Sequence, residues 1–162
     1  MVHGKGVITL SIVEEIRTRF KEKVEIFEKS PKRVYVSAKD KHDGREVVRF
    51  LFKDLGARMS IASGVDTRPG IEILYHMAMD KHNLIVTVKV LAEKPEPSMP
   101  TCTDFMGAAS WIEREIHELL GVDFPGHPNL ETLLLPDGWS SGFPLRKKSF
   151  ESEKEGFSRE YQ

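Results

Sequence analysis

Two acids, an arginine, a histidine and a further acid crowd one stretch of the chain, EREIHELLGVDFPGHP, as Glu113, Arg114, Glu115, His117 and Glu118, with His127 just beyond. Carboxylates beside imidazoles are the raw material of general acid–base catalysis and of metal sites. The segment HELLG begins like the helical zinc motif, in which two histidines four residues apart face the same ion, but the second position is Gly121. His117 and His127 would then need Asp123 or Cys102 as further ligands, and that spacing matches no common zinc site. Glu113 and Glu115 would point about 200° apart on a helix, so they cannot act on one substrate. Glu113 with His117, and Arg114 with Glu118, are four apart and read equally well as ordinary contacts on a helix surface. A hydrolytic or metal-dependent enzyme using Glu113, His117 and His127 remains open at this point.

Other catalytic signatures are missing. The chain has no glycine-rich phosphate loop, no nucleophile elbow and no Cys-x-x-Cys pair. Its formal net charge is -1 and 30% of its 162 residues are charged, which describes a well-solvated surface with no bulk attraction for phosphates. The short basic run LRKK around Arg146 lacks interleaved aromatics, so nucleic acid is not an expected partner. A single cysteine, Cys102, fits a reducing compartment, and no apolar stretch approaches the roughly 18 residues of a membrane span. With no signal-peptide pattern at the start, a soluble intracellular domain is expected.

The elements that must position these residues follow from periodicity and punctuation. Ser11 and Glu14 have capping-box spacing and precede Ile12, Ile16 and Phe20, predicting a first helix. VEIFEKSPKRVYVSAK predicts two strands about a Ser30-Pro31 turn. Asp43 and Glu46 repeat the cap spacing before a stripe from Val47 to Leu55, with Gly56 as a stop. RMSIASGV, IEILYHMAMD and LIVTVKVLAE predict three more strands, the last two joined by a turn over Asp80 to Asn83. The expected fold class is therefore α+β, a two-layer sandwich in the order α-β-β-α-β-β-β, with the helices on one face of the sheet.

Residues 1–93 form that expected sandwich domain, and 94–102 a proline-rich connector. Residues 103–121 hold one helix, about Ser110 to Leu120, with Ser110 and Glu113 as a third capping box and Gly121 as its C-terminal stop. Ile112, Ile116 and Leu119 trace its expected apolar stripe. Residues 122–162 form an extended irregular segment, because prolines and glycines rule out long regular elements. Yet that segment carries Phe124, Leu130, Leu133, Leu134, Leu135, Trp139, Phe143 and Leu145. Apolar side chains without regular structure wrap either the chain's own surface or a partner's. The end, from Lys147, is too polar to order by itself.

WIEREIHELLGVDFPGHPNL, followed by LLLPDGW and PLRK, resembles the signature of the small peripheral-arm subunit of respiratory complex I, the family of the C subunit of NADH-quinone oxidoreductase. The resemblance runs over roughly residues 105–148 and rests on Glu113, Arg114, Glu115, Glu118, Leu119, Leu120 and His127. It implies a protein that binds no cofactor and catalyses nothing alone. Members of this family clamp a hydrogenase-like large subunit, while the nickel–iron centre and iron–sulfur clusters belong to partner subunits. The resemblance implies a peripheral place at the cytoplasmic face of the cell membrane, within a complex anchored through other subunits. On this reading the signature and interface residues are Glu113, Arg114, Glu115, Glu118, His127, Pro128, Pro136, Trp139, Pro144, Leu145, Arg146 and Lys147. The chain departs from the pattern at Glu131, where the family has a basic residue or proline, and at Phe143 and Lys148 in the later Pro-Leu-Arg-Lys motif. These departures favour the version found in energy-converting membrane-bound nickel–iron hydrogenases or related archaeal sulfur-reducing complexes. The C subunit of a true NADH-quinone oxidoreductase is the alternative.

Overall fold

The structure is a computed structural model and describes residues 3–147. Its regular elements are α1 (His3–Phe20), β1 (Val24–Ser30), β2 (Arg33–Ala38), α2 (Lys41–Lys53), β3 (Arg58–Asp66), β4 (Gly70–Met79), β5 (Leu84–Glu93) and α3 (Ala109–Leu120). This is the expected α-β-β-α-β-β-β order followed by one helix. The strands form one sheet in the order β1-β2-β5-β4-β3. Within it β2 and β5 run parallel, and the other neighbours are antiparallel hairpins. A parallel pair needs a long crossover, and the chain from α2 to β4 supplies it.

Strand alternation decides which face is covered. Ile71, Ile73, Tyr75 and Met77 on β4 are fully buried, as are Val86 and Val88 on β5 and Val34 and Val36 on β2. Their neighbours Leu74, His76, Lys89 and Tyr35 are partly exposed on the opposite face. All the helices pack on the buried face, and two glycines show how closely. A Cβ on Gly44 of α2 would collide with Val90, and one on Gly64 of β3 would collide with Leu120 of α3. Gly64 pairs with Ile73, and Ile73 with Val90, so both helices press on the same side. This is the two-layer α+β sandwich.

Helix starts differ from the expected ones. Ser11 lies inside α1, which begins at His3. The cap of α2 is Asp40, whose Oδ1 accepts the His42 N–H at 2.7 Å. Asp43 instead pairs with Lys23 at 2.7 Å. α3 begins after Ala108 with no side-chain cap, because Glu113 turns inward rather than back to the helix start. Gly121 does occupy the left-handed C-terminal position, at φ 69°, and its N–H reaches the His117 carbonyl. The buried stripe of α3 is Ala109, Glu113, Ile116 and Leu120, while Ile112 and Leu119 are only half-buried. The helix is rotated from the expected stripe because the Glu113 carboxylate finds its partners in the interior.

The proline-rich segment pairs in extended form with the chain just beyond α3. Met99 N–H donates to the Asp123 carbonyl at 2.9 Å, and Asp123 N–H to the Pro97 carbonyl at 2.8 Å. Met99, Cys102, Met106, Val122 and Phe124 thereby enter the same apolar cluster as the sheet. Of the chain end expected to be too polar to order by itself, Lys147 is described and its N–H bonds Asp66, while residues 148–162 lie outside the described residues.

Candidate functional site

The signature residues divide into those that bind α3 to the core and those that bind the following loop to α3. Glu113 is fully buried. Its carboxylate accepts from the Cys102 N–H at 2.9 Å, the Thr101 hydroxyl at 2.5 Å and the Tyr75 hydroxyl at 3.3 Å. Burial pushes its pKa above the usual glutamate value, although these three donors pull the other way. Burial likewise raises the Tyr75 phenol and the Cys102 thiol, so both stay protonated near neutrality. Glu113 thus ties β4, the Pro-rich segment and α3 together at one buried point.

Glu118 and Arg114 hold the loop. Glu118, only 6% exposed, accepts the backbone N–H groups of Leu133 and Leu134 at 2.8 Å each, and that of Leu135 at 3.4 Å. Burial opposes its ionisation, but these donors win, and its pKa lies below the usual range. Arg114 donates through Nε to the Glu131 carbonyl at 2.9 Å and through a terminal nitrogen to the Thr132 carbonyl at 2.8 Å. One acid and one base, one helical turn apart, therefore read only backbone, which explains why Glu131 is tolerated where a basic residue or proline was expected.

Further along, the chain caps the end of α3. Leu145 N–H donates to the Leu119 carbonyl at 3.0 Å, and Arg146 Nε to the Leu120 carbonyl at 2.8 Å. The Arg146 guanidinium also lies over Phe143, 4.7 Å from the ring centroid. A side chain at Gly121 would meet both Phe143 and Arg146. Lys147 N–H reaches buried Asp66 at 2.7 Å, and Lys94 pairs with the same carboxylate at 2.7 Å. Burial disfavours the Asp66 charge, yet Lys94 and the Lys147 N–H hold its pKa below the ordinary value. His127 accepts the Asn129 N–H at Nδ1 and so must donate from Nε2 to the Ser110 carbonyl, at 3.1 Å. Arg146 therefore caps this chain's own helix end, with a terminal nitrogen also 3.4 Å from the Gly121 carbonyl.

The anchored loop displays apolar side chains outward. Leu134, Trp139, Phe143 and Leu145 are exposed, as is Trp111 on α3, which stands under the Arg114 guanidinium at 5.5 Å. Ile61 of β3 joins Ile112, Leu119 and Leu145 in a shallow groove beside Glu115. Pro128, Pro136 and Pro144 are exposed along the same loop. Trp111 and Ile61 were not legible as surface residues. Trp111 sits inside the signature helix, and Ile61 alternates within a strand; neither pattern shows which side stays uncovered.

The enzyme-like grouping does not assemble. Among the described residues no hydrogen bond joins Glu113, His117 and His127: Glu113 faces the interior, His117 Nδ1 bonds the Val122 carbonyl at 2.7 Å, and His127 bonds Ser110. Among the described residues, no group of three or more His, Cys, Asp or Glu side chains is placed to hold a metal ion. No described helix is long and apolar enough to cross a membrane.

The chain is similar to known proteins in sequence and fold. The family described as the respiratory-chain NADH dehydrogenase 30 kDa subunit matches residues 37–155. A Pseudomonas fluorescens NADH-quinone oxidoreductase C/D subunit is 39% identical over 90 residues, which are 56% of this chain and 14% of that protein. The C subunit of the Chloroherpeton thalassium NADH-quinone oxidoreductase is 32% identical over 139 residues, 82% of this chain and 57% of that one. The C subunit of the F420H2 dehydrogenase of Methanosarcina mazei is 33% identical over 141 residues, 85% of this chain and 89% of that one. Among solved structures, a chain of the membrane-bound sulfane sulfur reductase, an archaeal respiratory membrane complex, superposes with a TM-score of 0.72 at 21% identity, covering 94% of each chain. A trypsin-resistant fragment of Nqo5 gives 0.61 at 25% identity, covering 75% of this chain and 99% of that one.

Proposed function

The chain belongs to the respiratory-chain NADH dehydrogenase 30 kDa subunit family, and from that premise we propose that it is a non-catalytic assembly subunit in the peripheral arm of a complex I-like membrane-bound oxidoreductase. It binds no cofactor itself and clamps a hydrogenase-like large subunit. Nickel–iron and iron–sulfur centres sit in the partners, and the complex reaches the cytoplasmic face of the membrane through other subunits. The observation that carries this reading is the loop from Leu130 to Leu145. It is fixed to α3 by Glu118, Arg114 and Arg146, yet it leaves Leu134, Trp139, Phe143 and Leu145 in solvent. Anchoring a loop costs backbone entropy, about 1–2 kcal/mol per residue. A loop fixed with its apolar side chains outward suits a surface completed by a partner.

The hydrogenase or sulfur-reducing branch is favoured over NADH oxidation. Its support is the set of departures from the complex I pattern at Glu131, Phe143 and Lys148. The match covers 89% of the Methanosarcina mazei F420H2 dehydrogenase protein but only 57% of the Chloroherpeton thalassium one, which fits a short relative of the NADH enzyme's subunit without choosing among the other branches. The NADH-quinone oxidoreductase reading keeps its own support in the 32% identity over 82% of this chain. Purifying the native complex and identifying its largest soluble subunit by mass spectrometry tests the proposal. A hydrogenase-like large subunit in equal stoichiometry is expected. A chain that purifies alone, or without such a partner, overturns it. NADH-binding subunits in the same preparation would move the chain to the complex I branch.

A further inference from the structure

β3 is an outer strand of the sheet, paired with β4 on one side only. Among the described residues no backbone hydrogen bond reaches its other edge. The opposite outer strand, β1, carries Glu25, Glu28 and Lys29, charged residues of the kind that discourage further strand pairing. β3 has charges only at its two ends, Arg58 and Asp66, and none between. A groove of about 200 Å³ runs along this open edge. Four consecutive residues, Ile61 to Gly64, line it. Successive strand side chains point to opposite faces, so the groove follows the edge rather than either face. Its other wall is α3, through Ile112, Glu115 and Leu119, and Leu145 of the loop joins it. Gly64 lets α3 come this close, since a Cβ there would collide with Leu120. Within the signature run, Glu113 and Glu118 accept from donors of this chain, and Arg114 donates to two of its carbonyls. Glu115 is different: it is half-buried in the groove wall and has no hydrogen bond or ion pair among the described residues. No lysine or arginine lines the groove.

We infer that an extended segment of the large partner protein adds to the sheet at the β3 edge and sets a lysine or arginine against Glu115. A strand laid here satisfies the free N–H and C=O groups of β3, and its alternate side chains enter the groove beside α3. Along α3, Glu115 lies between Ile112 and Leu119. Those seven residues span about 10 Å of helix, close to the roughly 13 Å between strand positions four apart. The matching segment therefore carries a cation with apolar residues two positions to either side. Charge selects this occupant. A wholly apolar segment would strip water from the Glu115 carboxylate without pairing it, which costs free energy. An acidic segment would be repelled. A second copy of this chain, paired edge to edge, offers Ile61, Ser63 and Val65 or Ala62, Gly64 and Asp66, and neither set holds a cation. The inference rests on the reading that the neighbouring loop docks a protein. Leu145 belongs both to that loop's outward apolar side and to the groove, so one partner spans the two.

The test replaces the exposed Ile61 with the photoreactive residue p-benzoylphenylalanine in the assembled complex and identifies the crosslinked peptide by mass spectrometry. A segment of the large subunit with a lysine or arginine between alternate apolar residues is expected. In the unmodified complex, the outward-facing amides of β3 between Ile61 and Val65 should exchange at least about 10-fold more slowly than in the free chain. Glu115→Lys should weaken retention of the large subunit by at least about 10-fold, and Glu115→Gln by less, because a like charge repels where a neutral amide only fails to pair. As free chains both variants should unfold like the wild type, since Glu115 has no partner among the described residues. Crosslinking to a second copy, to this chain's own residues 148–162 or to a segment without a cation overturns the proposal. So does unchanged exchange at β3, or equal retention by wild type and both variants. A complex that assembles with the β3 edge still open removes only this contact, whereas a chain that binds no large subunit removes the docking reading itself.

Discussion

Replacing Glu118 with alanine should release the loop while sparing the sandwich. Glu118 accepts two N–H groups at 2.8 Å, from Leu133 and Leu134, and a weaker one from Leu135 at 3.4 Å. A hydrogen bond to a charged group contributes about 1.5–3 kcal/mol, so the two short ones at the low end sum to about 3 kcal/mol. The loop makes few buried contacts of its own, so it opens locally rather than with the core. At tenfold per 1.4 kcal/mol, that loss speeds exchange of the Leu133–Leu135 amides by about 100-fold. Hydrogen exchange resolved to single residues is the assay, with β4 and β5 amides as the internal reference. Those reference amides should keep wild-type protection. The depressed Glu118 pKa sets the direction with pH: its contribution is complete above the ordinary glutamate value of 4.5 and is lost as pH falls through the lower folded value. Loop protection in the wild type should therefore fade on acidification, and in Glu118→Ala it should not. A change under about 3-fold at these amides, well below the 100-fold expected from the bond energies, would refute the anchoring argument.

Ile116 is 3% exposed and meets Gly64, so Ile116→Ala should lower global stability by roughly 2–5 kcal/mol in urea titrations; a loss below about 0.5 kcal/mol would show the site to be loosely packed. Gly64→Val should cost roughly 1–3 kcal/mol, because its Cβ meets Leu120 and Ile116, and Leu120→Ala in the same chain should restore part of that loss. Glu113 has a raised folded pKa, so its contribution is complete below 4.5 and is lost as pH rises through the folded value. Glu113→Gln cannot ionise, so its stability relative to wild type should improve from pH 4.5 towards pH 8, and a flat difference would contradict the burial argument. Arg114→Lys keeps the charge but not the fork that reaches two carbonyls, so it should loosen the loop in the same exchange experiment.

Local chemistry was legible in the sequence. Alternation in β4 and β5, the turn before Leu84, the left-handed Gly121 and the one helix of the signature all follow from periodicity and backbone stereochemistry, which neighbouring residues express by themselves. So did the weakness of the zinc and carboxylate-pair readings, since Gly121 and the 200° offset of Glu113 and Glu115 are properties of spacing. Cap positions were not legible in the same way. Ser11, Asp43 and Ser110 have the right spacing, but a hydroxyl or carboxylate caps a helix only when no tertiary contact claims the turn. Glu113 instead bonds Tyr75, Thr101 and Cys102, which lie up to 38 residues away in the chain. The same contact rotates α3 and leaves Ile112 and Leu119 half-covered, a result that helical periodicity alone cannot supply. In the loop, sequence shows only that apolar residues and chain breakers are mixed. Tertiary structure decides that Phe124 is buried while Leu134 and Trp139 are not, because Glu118 and Arg114 fix the loop through its backbone and leave its side chains to face outward.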